Sequence, residues 1–423
     1  MGKYDDLVFK IPQEFHSWYG FASPRGFFRG TTMMEKAKVY MDYTSVTNEL
    51  VMEFPHTHHA VDEYIVLANA DFNNFYDGFD AEIDFWLGED NQNMEMFTVT
   101  EPVIIRIPPK LYHCPINFRR IGKPVLFMAI YLDGDWSKIS PIINEEGRED
   151  FRYDGAGVRR CVKDRSKECI YCGACFSESM KENAEKFKEE KSEELDILAP
   201  FYEMAKNPRT GKFDQYVHYY KPEYHDDPRF LSPRTGFRGR EEMPESRMYT
   251  LNNIVQKACE VGCTHMHHNA EEYYFFTGAD ITHFFEFDAE IEISIGETPD
   301  TMETYTITEP TAVRIPMGYW HGPVKFKRVG APVQFMPLYP SGYYGKIVQE
   351  MKESLRKACK TKDDCWVYWL LKDYLRINRN ATEEQKEALS YLQNFQKFAR
   401  AKGVSSSYFK SPVCMEKLML LCE

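Results

Sequence analysis

Apolar and polar residues alternate along several short segments of the chain. Residues 81–85 and 290–295 read AEIDF and EIEISI, and residues 103–107 form a β-branched run that ends at Pro108. A period of two residues is typical of strands with one buried face. Because Gly, Pro and Asn separate many such short runs, the pattern predicts a β-barrel or a β-sandwich.

Two regions lack this alternation. The charged run from Glu178 to Leu195 is typical of a solvated helix or a linker. From about residue 345 apolar positions recur every three or four residues, and Thr382 with Gln385 forms a capping box. The apolar positions on one face are Ala388, Leu389, Leu392, Phe395 and Ala399. We therefore expect a helical C-terminal extension that packs on another part of the protein.

The chain repeats itself over two segments about 209 residues apart, roughly 16–133 and 225–340. Ser23-Pro24-Arg25 recurs as Ser232-Pro233-Arg234, and Arg106-Ile107-Pro108 recurs as Arg314-Ile315-Pro316. Self-similarity of this kind indicates two structural units of one type. It predicts an N-terminal barrel over 1–139, an insert over 140–224, a C-terminal barrel over 225–344 and the extension over 345–423.

The composition narrows the classes of function. The chain has 423 residues with 52 basic and 65 acidic side chains, and 43% of its residues are hydrophobic. That apolar content suits packed domains and excludes global disorder. The net charge of −13 repels phosphate backbones and anionic lipid, so we expect no nucleic-acid and no membrane partner. The first residues lack the pattern of a signal peptide, which favours a cytoplasmic protein.

A set of three histidines and one acid recurs in both copies. The first set is His56, His58, Glu63 and His113, and the second is His265, His267, Glu272 and His321. Residues two apart on a strand share a face, so both imidazoles of each H-x-H pair can reach one ion. Three imidazoles and a carboxylate suit a divalent metal and leave open positions for a substrate. Recurrence of the whole set argues against ordinary core histidines.

These residues resemble the motifs of the cupin superfamily, H-x-H-x3/4-E and P-x-G-x2-H. Residues 316–321 read PMGYWH and keep the second motif, whereas residues 108–113 read PPKLYH with Lys110 in place of the turn glycine. The closing glycine of the first motif is Asn69 in one copy and Gly278 in the other, and we expect Asn69 to keep a positive φ there. Two copies make the chain similar to a bicupin, a mainly β protein of two tandem barrels.

The resemblance implies a metal-dependent enzyme with a small-molecule substrate. Cupins include dioxygenases, decarboxylases, isomerases, hydrolases and storage proteins. We expect one Mn, Fe or Zn ion per barrel, and hydrolytic C–C cleavage of a cyclic 1,3-diketone, a polyhydroxylated ring or a keto acid by metal-bound water with enolate stabilisation. The alternatives are a non-haem iron ring-cleaving dioxygenase, a manganese oxalate decarboxylase-like enzyme, and a sensor or storage protein without catalysis. Assembly as a homo-oligomer stays open.

Recurring arginines precede the last histidine of each set. Arg106 and Arg314 either act as catalytic residues that clamp a substrate oxygen or form structural ion pairs with Glu82 and Glu290. Both interpretations stay open on the sequence alone.

Two further pairs lie beside the candidate ligands. His59 and His268 fall on the opposite strand face from the H-x-H pair, so we favour supporting or core roles over ligation. Tyr64 and Tyr273 follow the ligand acids and face away from them, so we expect them to pack in the core.

A cysteine cluster lies in the predicted insert. Cys169, Cys172 and Cys175 have the spacing of the first three ligands of a bacterial ferredoxin run, but Ser179 stands where the fourth would be. Cys161 lies eight residues upstream and could close a four-thiolate site. Structural zinc is favoured over an iron–sulfur cluster and over unliganded thiols. A thiol-rich chain indicates an anaerobic host, which favours hydrolysis or decarboxylation over insertion of dioxygen.

Overall fold

The computed structural model describes residues 2–16, 18–143, 146–155, 195–267, 270–348 and 386. Nearly all regular structure in these ranges is β-strand, so the expected mainly β fold is confirmed. The segments predicted as strands from their alternation all lie in strands. Within the described ranges, no helix combines the length and the apolar character needed to cross a membrane. The cysteine cluster, the capping box and His268 lie outside the described residues.

The first barrel packs a six-stranded sheet against a four-stranded sheet. In spatial order the six strands are β13 (Val217–Tyr219), β8 (Val103–Ile107), β5 (Glu63–Asn69), β10 (Val125–Tyr131), β3 (Tyr40–Val46) and β2 (Gly26–Phe28). The four are β4 (Leu50–Met52), β9 (Tyr112–Ile121), β6 (Ala81–Gly88) and β7 (Met94–Val99). Alternate side chains such as Ile65, Ile83 and Phe85 fill the space between the sheets, which is why the period of two appears in the sequence.

The second barrel has the same plan. Its six-stranded sheet is β1 (Val8–Lys10), β21 (Thr311–Ile315), β18 (Glu272–Gly278), β24 (Val333–Tyr339), β15 (Tyr249–Val255) and β14 (Thr235–Phe237). The facing sheet is β16 (Cys259–Val261), β23 (Val324–Val329), β19 (Ala289–Gly296), β22 (Trp320–His321), β17 (His265–Met266) and β25 (Ile347–Val348), with β20 (Glu303–Ile307) paired to β19. Ile291, Ile293 and Phe335 lie in the core between them.

The barrels exchange their first strands. β1 runs antiparallel to β21, with Val8 opposite Val313, and β13 runs antiparallel to β8, with Val217 opposite Ile105. Each barrel therefore completes its six-stranded sheet with a segment that precedes the other barrel in sequence. The outer faces of the two large sheets also share one hydrophobic core, which contains Phe28 and Phe275 among others. The two candidate centres thus lie in barrels joined by both strand pairing and apolar packing.

The end of each repeat differs from the prediction. Ile347–Val348, expected at the start of the helical extension, is strand β25, because this β-branched pair bonds to the edge strand β17. In the first copy the same position, Ile139, lies within strand β11 (Ser137–Ile143), which forms a hairpin with β12 (Glu149–Gly155). Helix α1 (Leu195–Met204) packs on the first barrel near Trp86.

Candidate metal centres

The second barrel brings its four candidate ligands together. One ligand atom from each of His265, His267, Glu272 and His321 lies within 4.8 Å of all the others. His265 and His321 are cross-strand partners on β17 and β22, and Glu272 begins β18 on the facing sheet. All four side chains are buried. Donor atoms this close can share one cation.

The first barrel repeats this arrangement with one difference. His58, Glu63 and His113 form a group within 4.8 Å, and His56 joins it through His113, to which it is bridged. The ring centroids of His56 and His113 lie 4.1 Å apart, as do those of the matching pair in the second barrel. The sulfur of Cys114 also lies within 4.8 Å of His56 and His113. The sequence motifs had not indicated this thiol.

Backbone carbonyls fix the orientation of the imidazoles. Nδ1 of His265 donates to the Cys263 carbonyl at 2.6 Å, and Nδ1 of His267 donates to the Gly345 carbonyl at 2.5 Å. In the first barrel Nδ1 of His56 donates to the Phe54 carbonyl at 2.7 Å. A carbonyl oxygen only accepts, so each Nδ1 carries a proton. Nε2 of His56 and of His265 then keeps its lone pair, whereas Nε2 of His267 also contacts Oε2 of Glu272 at 3.0 Å. That tautomer is the one a ligating histidine needs.

The residues fit a metal ion. Nε2 of His113 and Nε2 of His321 are buried and make no hydrogen bond within the described structure. Oε2 of Glu272 lies 2.8 Å from Nε2 of His321, but the contact lacks hydrogen-bond geometry. Buried acceptors without a donor are costly, and a divalent cation is the partner that three imidazoles and a carboxylate suit.

Burial and neighbouring charges set the ionisation of the ligands. Burial, with a smaller contribution from His321, lowers the pKa of His265 to about 3. Burial alone would raise the pKa of Glu272, but His267 and His321 outweigh it and hold that pKa below its usual range. A neutral imidazole and an ionised carboxylate at neutral pH are the forms that bind a cation.

Tyrosines support the ligand acids. The Tyr339 hydroxyl donates to Oε1 of Glu272, and burial followed by the charge of Glu272 raises the pKa of Tyr339 well above 10. Tyr131 takes the same place beside Glu63, and burial raises its pKa in the same way. Sequence reasoning missed this pair, although the tyrosines are 208 residues apart, the offset of the surrounding repeat. Their hydroxyls keep their protons and orient the carboxylates.

A cavity of about 470 Å³ leads to the second centre. His265 and Glu272 lie at its wall, and Tyr274, Tyr339 and Tyr344 line it beside them. The apolar lining includes Val261, Leu251, Val324, Phe230 and Phe335, and the polar lining includes Glu223, His225, Asp227, Arg234 and Lys346. Its volume and mixed lining are those of a site for a small organic molecule.

The structure places Arg106 and Arg314 away from the ligands. Arg314 is opposite Tyr273 in the sheet, whereas Glu272 is opposite Ile315, so the arginine and the ligand acid project from opposite faces. Arg314 pairs with Glu271 at 2.7 Å, and Arg106 pairs with Asp62 at 3.0 Å. The partners expected from the sequence, Glu82 and Glu290, were therefore wrong, and the geometry gives no support to a substrate clamp.

Three other predictions concern residues beside the ligands. Tyr64 and Tyr273 are fully buried in the core shared by the barrels, as expected. His59 is exposed, which excludes a core role; the preference for a supporting role over ligation stays a prediction. Asn69 and Gly278 do not have positive φ values, contrary to the prediction. Instead a Cβ at Gly278 would lie 3.1 Å from the Glu286 carbonyl oxygen, so close backbone approach explains that glycine.

No protein-family model and no curated protein sequence matches the chain. Solved structures match most of it at low identity. A variant of oxalate decarboxylase from Bacillus subtilis, with one tryptophan replaced by phenylalanine, is 10% identical, with 92% of this chain and 88% of that chain covered and a TM-score of 0.50. Oxalate decarboxylase from Lactobacillus farciminis, in a formate complex, is 10% identical, with 89% and 96% covered and a TM-score of 0.48. At this identity the likeness to the first structure bears on the fold alone, and it agrees with two tandem barrels.

Proposed function

Because the chain is a bicupin in fold, we propose that it is a metal-dependent enzyme that cleaves a C–C bond of a small, oxygen-rich carboxylate at the second centre. The cavity of about 470 Å³ that reaches His265 and Glu272 carries this proposal. A storage or sensor protein needs the ligands but has no need of a substrate-sized space beside them. The Bacillus subtilis structure that shares this fold is an oxalate decarboxylase, so the proposal names a reaction of that kind.

The ligands of the second centre have the chemistry for this reaction. A divalent cation held by His265, His267, Glu272 and His321 would polarise substrate oxygens and stabilise the negative charge that develops as the C–C bond breaks. Tyr339 holds Glu272 in place through its hydroxyl.

Two further side chains of the cavity wall, Tyr274 and Phe335, contribute to the surroundings of a substrate. Burial, followed by the charge of Glu272, raises the pKa of Tyr274 well above 10, so its hydroxyl stays protonated on the cavity wall beside the ligand acid. Phe335 contributes apolar wall that limits the access of water to the reacting carbon.

The cavity favours decarboxylation over hydrolysis. Besides Glu272, the carboxylates that line it are Glu223, paired with Arg234 at 2.8 Å, and Asp227, paired with Arg229 at 2.6 Å. A hydrolase needs a base that takes a proton from the attacking water, and carboxylates held in ion pairs are poor bases. Loss of CO₂ needs no water nucleophile. We therefore place the manganese oxalate decarboxylase-like reaction first. Hydrolytic ring opening is the second candidate, because Nδ1 of His225 makes no hydrogen bond within the described structure and is a further candidate base on the cavity wall.

The test combines metal analysis with turnover. Protein purified without added metal is analysed for its elements, reloaded with Mn, Fe or Zn in turn, and supplied with oxalate, short keto acids and a cyclic 1,3-diketone, with and without oxygen. We expect up to two metal equivalents and release of CO₂ from a carboxylate. Ring opening of the diketone without CO₂ release would instead support the hydrolase. Tight metal binding without turnover of any of these compounds would support a sensor or storage protein.

A further inference from the structure

Lys346 lines the cavity over the second centre but belongs to neither cupin motif. The residue before it, Gly345, accepts the hydrogen bond from Nδ1 of His267. The residue after it, Ile347, is opposite Met266 across β25 and β17. The backbone of Lys346 is therefore held on both sides by the segment that carries two candidate ligands.

The first barrel has a lysine at the same position. Lys138 follows Ser137, whose carbonyl accepts from Nδ1 of His58, and precedes Ile139, which is bridged to Thr57. This lysine is neutralised, because its ammonium group pairs with the carboxylate of Glu53 at 2.5 Å. Only 17% of the Lys138 side chain is exposed, against 37% of the Glu53 side chain.

The second barrel lacks the neutralising acid. Gly262 stands where the first copy has Glu53, and both residues have left-handed backbones, with φ of 75° and 63°. Within the described ranges, Lys346 has no carboxylate within ion-pair distance. The other cation of the cavity wall, Arg234, is paired with Glu223. Lys346 is thus a cationic side chain on the cavity wall that forms no ion pair with an acid of the described ranges.

We propose that Lys346 binds a carboxylate of the substrate and makes the second barrel the anion-selective half of the protein. In the first barrel Glu53 forms an ion pair with the equivalent lysine, Lys138, and thereby excludes an anion from it. This inference rests on the proposed function and deepens it, since it assigns the recognition of the substrate to one residue. The substrate class is a short mono- or dicarboxylate, in which one carboxylate reaches Lys346 while another oxygen faces the ligand cluster.

The first test measures binding without turnover. Oxalate, malonate and formate are titrated calorimetrically into the full-length, metal-loaded protein and into Lys346→Met, Lys346→Arg and Lys138→Met, all checked for metal content. Lys346→Met should weaken binding by about tenfold or more, the loss expected for a charge-assisted hydrogen bond. Lys346→Arg should recover most of that loss. Lys138→Met, the matched control, should bind like the wild type.

The second test moves the acid from one barrel to the other. A Cβ built at Gly262 meets no atom within 4 Å, so Gly262→Glu has room for its side chain. The left-handed backbone strains both Gly262→Glu and Gly262→Gln equally, which makes the glutamine variant a matched control. Gly262→Glu should weaken carboxylate binding by about as much as Lys346→Met, and Gly262→Gln should do so far less.

The possible outcomes separate the role of Lys346 from the proposed function. Unchanged affinity in Lys346→Met, equal losses in the Lys138 and Lys346 variants, or no binding of any of the three carboxylates by the wild type overturns the inference. Binding that depends on Lys346 but leads to no CO₂ release rejects the proposed function and keeps the inference. CO₂ release that Lys346→Met leaves unaltered rejects the inference and keeps the proposed function.

Discussion

The two barrels hold the same candidate ligands but differ at the glycines around them. Three left-handed positions are glycine in the second barrel and bear a side chain in the first: Gly262 and Glu53, Gly318 and Lys110, Gly322 and Cys114. A side chain in this conformation costs about 1–2 kcal/mol per residue, so the first barrel is strained at each of them. The ligand pattern alone therefore does not distinguish the two halves, whereas their surroundings do.

An acid near the start of each repeat also differs between the barrels in its burial. Glu14 of the first barrel is buried and paired with Arg25 and Arg29 at 2.6 Å. The equivalent acid of the second barrel, Glu223, pairs with the matching Arg234 and Arg238 at 2.8 and 2.6 Å, but it is partly exposed and lines the cavity. The ion pairs are thus the same in both copies, and the two acids differ in burial. We propose that the first barrel mainly supports the fold while the second binds the substrate.

The largest expected effect concerns the buried arginines. Arg314→Met leaves Glu271 buried without its cation and should lower the free energy of unfolding by about 3–5 kcal/mol, measured by denaturant titration. Arg106→Met should cost less, because Asp62 keeps Arg247 at 3.8 Å. Turnover per folded molecule should be retained in both. A large fall in kcat/KM with normal stability would support the interpretation of Arg106 and Arg314 as a substrate clamp. It would contradict the placement of both arginines away from the cavity.

The next effect concerns the tyrosines beside the ligand acids. Tyr339→Phe removes the donor to Glu272 and should lower metal affinity and kcat by about 10- to 100-fold. Tyr131→Phe is the matched change beside Glu63 and should weaken metal binding at the first centre with little effect on turnover. Metal titration followed by steady-state kinetics checks both. Equal losses of turnover in the two variants would break the proposed division between the barrels.

The smallest effect concerns the left-handed positions. Lys110→Gly relieves a φ of 72° and should raise the free energy of unfolding by about 1 kcal/mol or less, since glycine also gains entropy in the unfolded chain. Gly318→Lys, the reverse change at a φ of 84°, should lower it by about 1 kcal/mol. Thermal and denaturant unfolding measure both changes. A destabilised Lys110→Gly protein would show that the lysine side chain makes contacts that outweigh its strain.

The barrels and the ligand sets could be predicted because their signals are local. Ile83 and Phe85 alternate with polar neighbours, since one face of a strand is buried and the other is not. The H-x-H pair and its acid recur at a constant offset, since both copies bring the same kinds of ligand atom together. These features depend on alternation along one strand or on short motifs that recur, which a sequence displays directly.

Other features depended on contacts between distant segments. Nothing near Val8 indicates that β1 pairs with Val313 rather than within the first barrel. The partner of Arg314 was predicted wrongly because Glu271 lies beside a ligand in sequence but projects from the opposite face. Lys346 was missed although it matches Lys138 at an offset of 208, because the repeat had been followed only to about residue 340.

The turnover of two variants, each altered at one candidate metal centre, tests most directly whether catalysis takes place in the second barrel. His321→Ala and His113→Ala each remove one buried ligand and should each lose metal from one centre only. Because a bound metal supplies several kcal/mol of charge stabilisation, His321→Ala should lose roughly 100-fold more kcat/KM for a carboxylate substrate than His113→Ala. The reverse order, or equal losses in two folded and singly loaded proteins, would contradict the assignment of catalysis to the second barrel.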